Sequence, residues 1–438
     1  MSLPRFAYTV LVWLVVPIAA LYLLWRSRRQ PAYRAHWGER FGWARYTVPR
    51  DRPIIWIHAV SVGETRAAEP LISALARRFP QHGFLLTHMT PTGRATGAEL
   101  AARWSGRVTQ AYLPYDMPFA VRRLLRAYAP VVGLGMETET WPNLLAEARA
   151  ADLPMVLVNA RLSERSLAKA KRMPRLMREA AQSFTKVLAQ TDADAERMRE
   201  VGARPVEVIG NLKFDFTPDP ALVERGRAFR AAAGGRKVLL FATTREGEEA
   251  MLLDALAGAG DTSHGDALVI MVPRHPQRFD DVARLIEARG RSVLRRSTLA
   301  DWSAAASSAA SAPVVLGDSM GEMAMYYASA HVAFVGGSLL PLGGHNLIEA
   351  CGVGVPVVVG PHTFNFAQAT DDAVGAGAVV RAENAASVVE AMWQIASDAG
   401  RSARMSEAAL RFARQHRGAT DRALAHIVPL IEARTNSR

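Results

Sequence analysis

The feature that most limits how this chain can fold is an alternation that runs, pauses and starts again. From Ile54 onward, short apolar runs of strand length alternate with segments of helical periodicity. The predicted strands are Ile54–Val60, Phe84–Met89, Val108–Tyr112, Val131–Leu134, Met155–Asn159, Val187–Gln190 and Val206–Ile209. Between the first two, Leu71, Ile72, Leu75 and Phe79 recur at helical spacing and predict a helix over Arg66–Phe79. Strands this apolar, separated by helices, belong in a parallel sheet covered on both faces. The pattern pauses at Gly210–Pro220, GNLKFDFTPDP, whose turn formers predict a linker. It resumes with Val238–Phe241, Ala267–Val272, Ser292–Leu294, Val314–Leu316, His331–Val335, Val355–Val359 and Ala378–Val380. Ser387–Ile431 reads as mostly helical, and the Ala- and Ser-rich Ala300–Ala312 as a surface insertion or mobile loop. The expectation is an α/β chain of two doubly wound, Rossmann-like domains, residues 31–212 and 213–438, behind an N-terminal segment, 1–30. Such sheets bind ligands at the carboxyl ends of their strands, here in a cleft between the two domains.

The N-terminal segment has its own signal. Phe6 to Trp25 is a 20-residue uncharged run, long enough to span a bilayer. Trp13, Tyr22 and Trp25 are residues of the interfacial type, and Pro17 is a kink that membrane helices tolerate. Arg26, Arg28, Arg29 and Arg34 follow at once, against Arg5 before the run. The positive-inside rule then puts the rest of the chain in the cytoplasm, behind a single-pass anchor. No small-x-small site precedes the basic cluster, so an uncleaved anchor fits better than a signal peptide. The net charge of +12 lies in the first half, where residues 1–215 hold 31 Lys/Arg against 18 Asp/Glu. Residues 216–438 hold 22 against 23. The first half is therefore expected to meet an anionic lipid surface, a phosphorylated lipid or nucleic acid. Nucleic acid is the weakest of these, because no aromatic-interleaved basic module is present. Cys351 is the one cysteine, which excludes a disulfide within the chain and points to a reducing compartment.

Polar residues gather where the predicted strands end. Val335–Ala350, VGGSLLPLGGHNLIEA, places Gly336-Gly337 after a strand and Gly343-Gly344 before a predicted helix carrying Asn346 and Glu349. Glycines admit a bulky ligand to the backbone, helix-start N–H groups attract phosphate, and Glu349 can accept from ribose hydroxyls. This describes a nucleotide mono- or diphosphate site; the strand lacks the GxGxxG of a dinucleotide fold. Thr243-Thr244-Arg245 follows another strand, as does Pro273-Arg274-His275-Pro276, with cations suited to phosphate. Gly317–Met323 is a further strand-end loop, with Gly321, Glu322 and Met323 and a Ser319-x-x-Glu322 capping pattern.

In the first half, His58–Glu64 ends the first strand. Glu64 can act as a base toward a sugar hydroxyl. Ser61-x-x-Glu64 is also a capping box in which Glu64 would bond the Ser61 N–H, and spacing alone favours the cap. Gly135–Asn143 brings Glu137 and Glu139 beside Trp141, suited to binding an acceptor or supporting the base, or else to a helix start at Thr140-x-Pro142. Asp192-x-Asp194 reads as a helix cap, and neither HExxH nor a Cys/His cluster is present, so no metal and no cofactor is expected.

These motifs, in this order, resemble the 3-deoxy-D-manno-octulosonic acid (Kdo) transferases of lipopolysaccharide synthesis. The resemblance runs from the anchor almost to the C-terminus. It rests on Arg40-Phe41-Gly42, His58–Glu64, Glu137–Asn143, Asn159-Ala160-Arg161, Gly210–Lys213, Pro273–Pro276, Gly317–Met323 and Gly344–Glu349. It implies a GT-B fold with an acceptor-binding first domain and a CMP-Kdo-binding second domain. It also implies metal-independent, inverting transfer of Kdo from CMP-Kdo to a lipid A precursor, lipid IVA, at the cytoplasmic face of the inner membrane. Position by position, Glu64 becomes the general base, with Ser61, Gly63, Glu137 and Glu139 around the acceptor. Thr243, Thr244, Arg245, Pro273, Arg274, His275, Gly321, Glu322, Met323, Gly337, Asn346 and Glu349 become donor contacts. Thr-Thr-Arg stands where the family pattern has Ser-Thr-His, so a role specific to histidine is not carried over. The alternatives are a GT-B lipid-linked transferase using a UDP-sugar, and a membrane-tethered binding protein of the same fold without catalysis.

Overall fold

The computed structural model describes residues 2–28, 30–46, 52–104, 106–215, 217–258, 267–303, 306 and 314–436. The chain forms two compact units. Unit 1 comprises 1–215 and 417–438, and unit 2 comprises 216–416.

Unit 1 is built on seven parallel strands: β1 (Ile54–His58), β2 (Gly83–His88), β3 (Val108–Tyr112), β4 (Val132–Met136), β5 (Met155–Ala160), β6 (Lys186–Ala189) and β7 (Val206–Val208). Their order is 3-2-1-4-5-6-7. The side-chain period of two sends Ile54 and Trp56 into one buried layer and Ile55 and Ile57 into the other. Both faces need helices, which is why these strands read as unbroken apolar runs. All seven predicted strands are present, and the predicted helix is observed as Val62–Arg78.

Unit 2 repeats the plan with β8 (Val238–Thr244), β9 (Leu268–Pro273), β10 (Val293–Arg295), β11 (Val314–Leu316), β12 (Val332–Val335), β13 (Val357–Val359) and β14 (Val379–Arg381). The order is 10-11-9-8-12-13-14, again all parallel. In each sheet the strand order reverses beside the first strand, between β1 and β4 and between β8 and β12. The crevice at such a reversal is where an open α/β sheet holds a ligand.

Four sequence expectations change. The second domain does not run to residue 438, because the helix Ala419–Thr435 buries Ala419, Ala423, Ile427 and Ile431 in the core of unit 1. The Asp215 carboxylate accepts the Gly418 and Thr420 N–H groups and so fixes where that helix starts. Gly210–Pro220 is not a loose linker along its whole length, since Leu212 and Phe214 are buried in a 3-10 turn. Of Ala300–Ala312, residues 304, 305 and 307–312 lie outside the described residues. Trp302 is core rather than surface: it stacks on Phe229 at 4.4 Å and donates to the Ser329 hydroxyl at 2.9 Å. Finally, Gly343-Gly344 does not open a helix at once. The helix is only Ile348–Val353, and Asn346 stands before it, its Oδ1 accepting the Ile348 N–H at 3.0 Å.

The apolar run forms one helix, Leu3–Ser27. Its length and composition suit a membrane anchor.

Candidate active site

The reversal in unit 1 brings two loops together. The first leaves β1 at His58 and enters the helix Val62–Arg78 through Ser61, whose hydroxyl accepts the Glu64 N–H. The Glu64 carboxylate accepts the Val60 N–H at 2.8 Å and the Ser61 hydroxyl at 3.0 Å. The cap predicted for Ser61 is therefore present, but the backbone donor to Glu64 is Val60 and not Ser61. These two bonds fix the carboxylate's orientation and favour its charge. Burial opposes them and dominates, with Glu139 and Glu137 adding repulsion, so the carboxyl is pushed up to about 7. Gly63 lies exposed in the same turn, and a Cβ there would meet only the Ser61 hydroxyl, at 3.9 Å. Neither packing nor a left-handed backbone requires glycine at this position.

The second loop leaves β4 at Met136. Glu137 adopts the left-handed region, with φ of 57°. Its carboxylate pairs with Lys213 at 2.8 Å and Arg161 at 3.9 Å, two residues that the motif reading quoted but gave no part to play. Glu139 accepts the Trp141 indole N–H at 2.6 Å and lies 3.4 Å from His58 Nε2. The other face of the His58 ring rests on Thr87, with Nδ1 2.9 Å from the hydroxyl. Ser61 bonds Glu64, and the charges of Glu139 and Glu137 reach the Glu64 carboxyl.

In unit 2 the reversal gathers the loops after β8 and β12. A register shift between Ala242 and Thr244 ends β8, and Thr243 takes φ of 54°. The Thr243 carbonyl and hydroxyl lie 2.9 and 3.1 Å from His345 Nδ1. Burial, with Arg274 next, pulls the His345 imidazole down to about 4. It is neutral at pH 7. A side chain on Gly337 would press on this ring at 3.0 Å, and a Cβ on Gly336 would strike the Thr243 carbonyl at 2.7 Å. The two glycines let the loops close on each other. Glu248, which is 0% exposed, ties the loops by accepting the Arg245, Gly337 and Leu339 N–H groups at 2.9, 2.7 and 2.9 Å. Thr244 is buried and donates to Glu249, which also receives Arg278 at 3.2 Å. Glu248 and Glu249 carry this architecture. Their sequence signal is two carboxylates in the first helical turn after a Gly, a pattern shared by any acidic helix start.

Pro273 is buried at the end of β9, and the Arg274 N–H donates to the Thr244 carbonyl at 2.9 Å. His275 is exposed, its pKa lowered by desolvation and by Arg245, Arg274 and Arg278. Asn346 donates to Glu349 at 3.2 Å. Buried Tyr327 lies within the electrostatic reach of both Glu349 and Arg274. Gly321, Glu322 and Met323 form part of a different bonded group after β11. Ser319 donates to Glu322 at 2.6 Å instead of capping the helix Met323–Ser329, and Arg296 and Arg225 hold the other Glu322 oxygen at 2.9 and 3.5 Å. The predicted capping box is therefore absent there. Gly321 takes φ of 80°, and Met323 begins the helix.

The chain matches two family models: 3-deoxy-D-manno-octulosonic-acid transferase over residues 35–216, and glycosyl transferases group 1 over residues 295–412. A 3-deoxy-D-manno-octulosonic acid transferase of Bordetella pertussis is 47% identical over 421 residues, 93% of this chain and 95% of its own length. That of Haemophilus influenzae is 31% identical over 98% of this chain and 99% of its own. Among solved structures, a UDP-GlcNAc 2-epimerase from Neisseria meningitidis superposes with a TM-score of 0.56 at 14% identity, over 86% of this chain and all of that one. At that identity the likeness shows the fold alone, a two-domain GT-B arrangement. The sequence relatives, matched over nearly the whole length, establish that the chain belongs to the 3-deoxy-D-manno-octulosonic acid transferases, a family of glycosyltransferases.

Proposed function

We propose that this enzyme moves Kdo from CMP-Kdo to a lipid A precursor, lipid IVA, at the cytoplasmic face of the inner membrane, with inversion and with Glu64 as the general base. The observation that carries the reading is the state of Glu64. It stands at the reversal of the unit 1 sheet, oriented by two hydrogen bonds, with a carboxyl near 7. A base tuned close to the operating pH takes a proton effectively in the transition state.

In the step itself an acceptor hydroxyl passes its proton to the Glu64 carboxylate as its oxygen bonds the anomeric carbon of Kdo. The bond from that carbon to the CMP phosphate oxygen breaks, and CMP leaves with the electron pair. A single displacement of this kind inverts configuration. Glu137, Glu139 and Ser61 border the acceptor hydroxyl. In unit 2, Arg274, Arg245 and His275 face the leaving phosphate, and preorganised cations can stabilise it without a metal. Glu349, steadied by Asn346, takes the ribose hydroxyls. Gly337, Thr243, Thr244 and Pro273, with Gly321, Glu322 and Met323, are the remaining donor contacts on this reading. The basic first half, with 31 Lys/Arg against 18 Asp/Glu, suits an acceptor carrying phosphates in an anionic membrane.

The test is transfer by the purified full chain to a tetra-acylated, bisphosphorylated disaccharide, read by mass spectrometry. CMP-Kdo should give product and UDP-sugars none. Product from a UDP-sugar would overturn the donor, and no product from any donor would favour a binding protein.

A further inference from the structure

We infer that the helix Leu3–Ser27 lies in the plane of the membrane, on one anionic leaflet, and does not cross the bilayer. This deepens the membrane attachment proposed above and rests on it; it replaces the single-pass topology expected from the apolar run.

One face of the helix touches unit 1 along its length, though only Leu23 and Ser27 are buried. Its less exposed positions recur every three or four residues, at Tyr8, Val12, Val16, Ala19, Leu23 and Ser27. The contacts on this face are specific. Ser2 donates to Glu179, Tyr8 to Asp116 at 2.9 Å and Thr9 to Asn143 at 3.0 Å. Val12, Val16 and Ala20 pack on Phe41, Met117 and Ala120, and Trp13 stacks on Phe119 at 5.5 Å. At the far end Arg34 donates to Ser27 at 2.9 Å. The opposite face is bare and apolar: Phe6, Leu14, Ile18, Leu21 and Trp25 are each more than half exposed.

A helix of this length reaches about 37 Å at 1.5 Å per residue, enough to span. Spanning while docked would carry Glu179, Asp116 and Asn143 to different depths of the hydrocarbon, with the strands and helices that hold them. Backbone and carboxylates in that position are costly. Lying flat costs nothing of the kind. The covered face stays on protein, and the bare face enters the boundary between headgroups and acyl chains.

The cations give an independent argument. Arg26, Arg28 and Arg34 flank the C-terminal end. Ser2, at the other end, touches Glu179 on the helix Pro174–Ala181. That helix and the turn before it expose Lys171, Arg172, Arg175 and Arg178 around an exposed Met173. A spanning helix keeps its cations at one end. This one has them at both, as a helix bound to a single anionic surface should.

The test labels the full chain in native membranes. Leu3→Cys and Arg28→Cys are made singly; the native Cys351 is buried and stays silent. An impermeant maleimide should label Arg28→Cys in inside-out inner-membrane vesicles and neither variant in spheroplasts. Labelling of Leu3→Cys from the spheroplast exterior would overturn the inference and restore the span. Spin labels placed at Phe6, Leu14 and Leu21 provide a second reading. They should report one depth, about 5–10 Å below the headgroups; a maximum at Leu14 near the bilayer centre, about 15 Å down, would again mean a span. A chain that fails to sediment with phosphatidylglycerol-containing vesicles would overturn membrane attachment itself, and with it this inference.

Discussion

Glu64 and Glu248 occupy equivalent places, each in the first helical turn after the first strand of its sheet. Their surroundings differ in one countable respect. Glu248 accepts three backbone N–H groups, wholly buried, and joins two loops. Glu64 accepts one backbone N–H and one hydroxyl, and two more carboxylates stand nearby. A buried carboxylate whose acceptor sites are filled by fixed donors is a structural tie. One whose desolvation outweighs its hydrogen bonds is poised to take a proton. On the proposed reading the same topology yields a base in one unit and a brace in the other, and the hydrogen-bond count separates them.

The largest expected effect falls on the poised member. Glu64→Gln keeps the shape and can still accept from Val60 through its amide oxygen, so the protein should fold and bind CMP-Kdo. Transfer should drop by about 10²–10⁴-fold, the usual contribution of a general base. Retention of more than about a tenth of turnover, far above that range, would make Glu64 a cap and move the search to Glu137 or Glu139.

The brace should fail differently. Glu248→Ala strips the partner from three backbone N–H groups, at a cost of about 1–3 kcal/mol for each one left unsatisfied. Urea unfolding should show a loss of about 3 kcal/mol or more, and CMP affinity should fall because the loops separate. A stable Glu248→Ala with weakened CMP binding would mean that Glu248 meets the donor directly.

Smaller still are the losses expected at groups proposed to touch the donor without holding the loops. Arg274→Ala and Glu349→Ala should each weaken CMP binding by about 1–3 kcal/mol, the range for removing a charged partner, with folding unchanged. Calorimetry showing unaltered CMP affinity in both would displace the nucleotide from these loops.

Much of this was legible in the sequence because it depends on local pattern. The fourteen strands among the described residues each overlap a predicted strand, and the polar loops fall at their ends. What stayed hidden depends on contacts between distant residues. The brace of Glu248 exists only because β8 and β12 are neighbours, 89 residues apart in the pairing of Glu248 with Gly337. Lys213 reaches Glu137 because Asn159 Oδ1 accepts the Leu212 N–H and holds the turn in place. The C-terminal helix returns to unit 1 because of Asp215, whose side chain carries no distinguishing mark in the sequence. The anchor helix has two faces only once a surface covers one of them.

The smallest predicted effect gives the comparison its pH signature. Glu64 titrates near 7 in the folded chain and near 4.5 when unfolded. Between those values the folded state binds more protons, so its stability falls as pH rises and levels off above about 7. The Glu64→Gln variant, with no proton to lose there, would escape that fall. The shift sets an upper bound of about 3 kcal/mol, and solvent screening at a partly exposed carboxylate lowers it to about 1–2 kcal/mol. Urea unfolding should therefore find Glu64→Gln matched to wild type near pH 4 and more stable at pH 8. A mere cap would behave in the opposite sense, since its ionised form would be the stabilising one. Activity supplies the matching limb: kcat/KM of the wild type should rise through a midpoint near 7 as the base ionises. A midpoint near the ordinary carboxylate range, together with no gain in stability for Glu64→Gln at pH 8, would put Glu64 back beside Glu248 as a second brace.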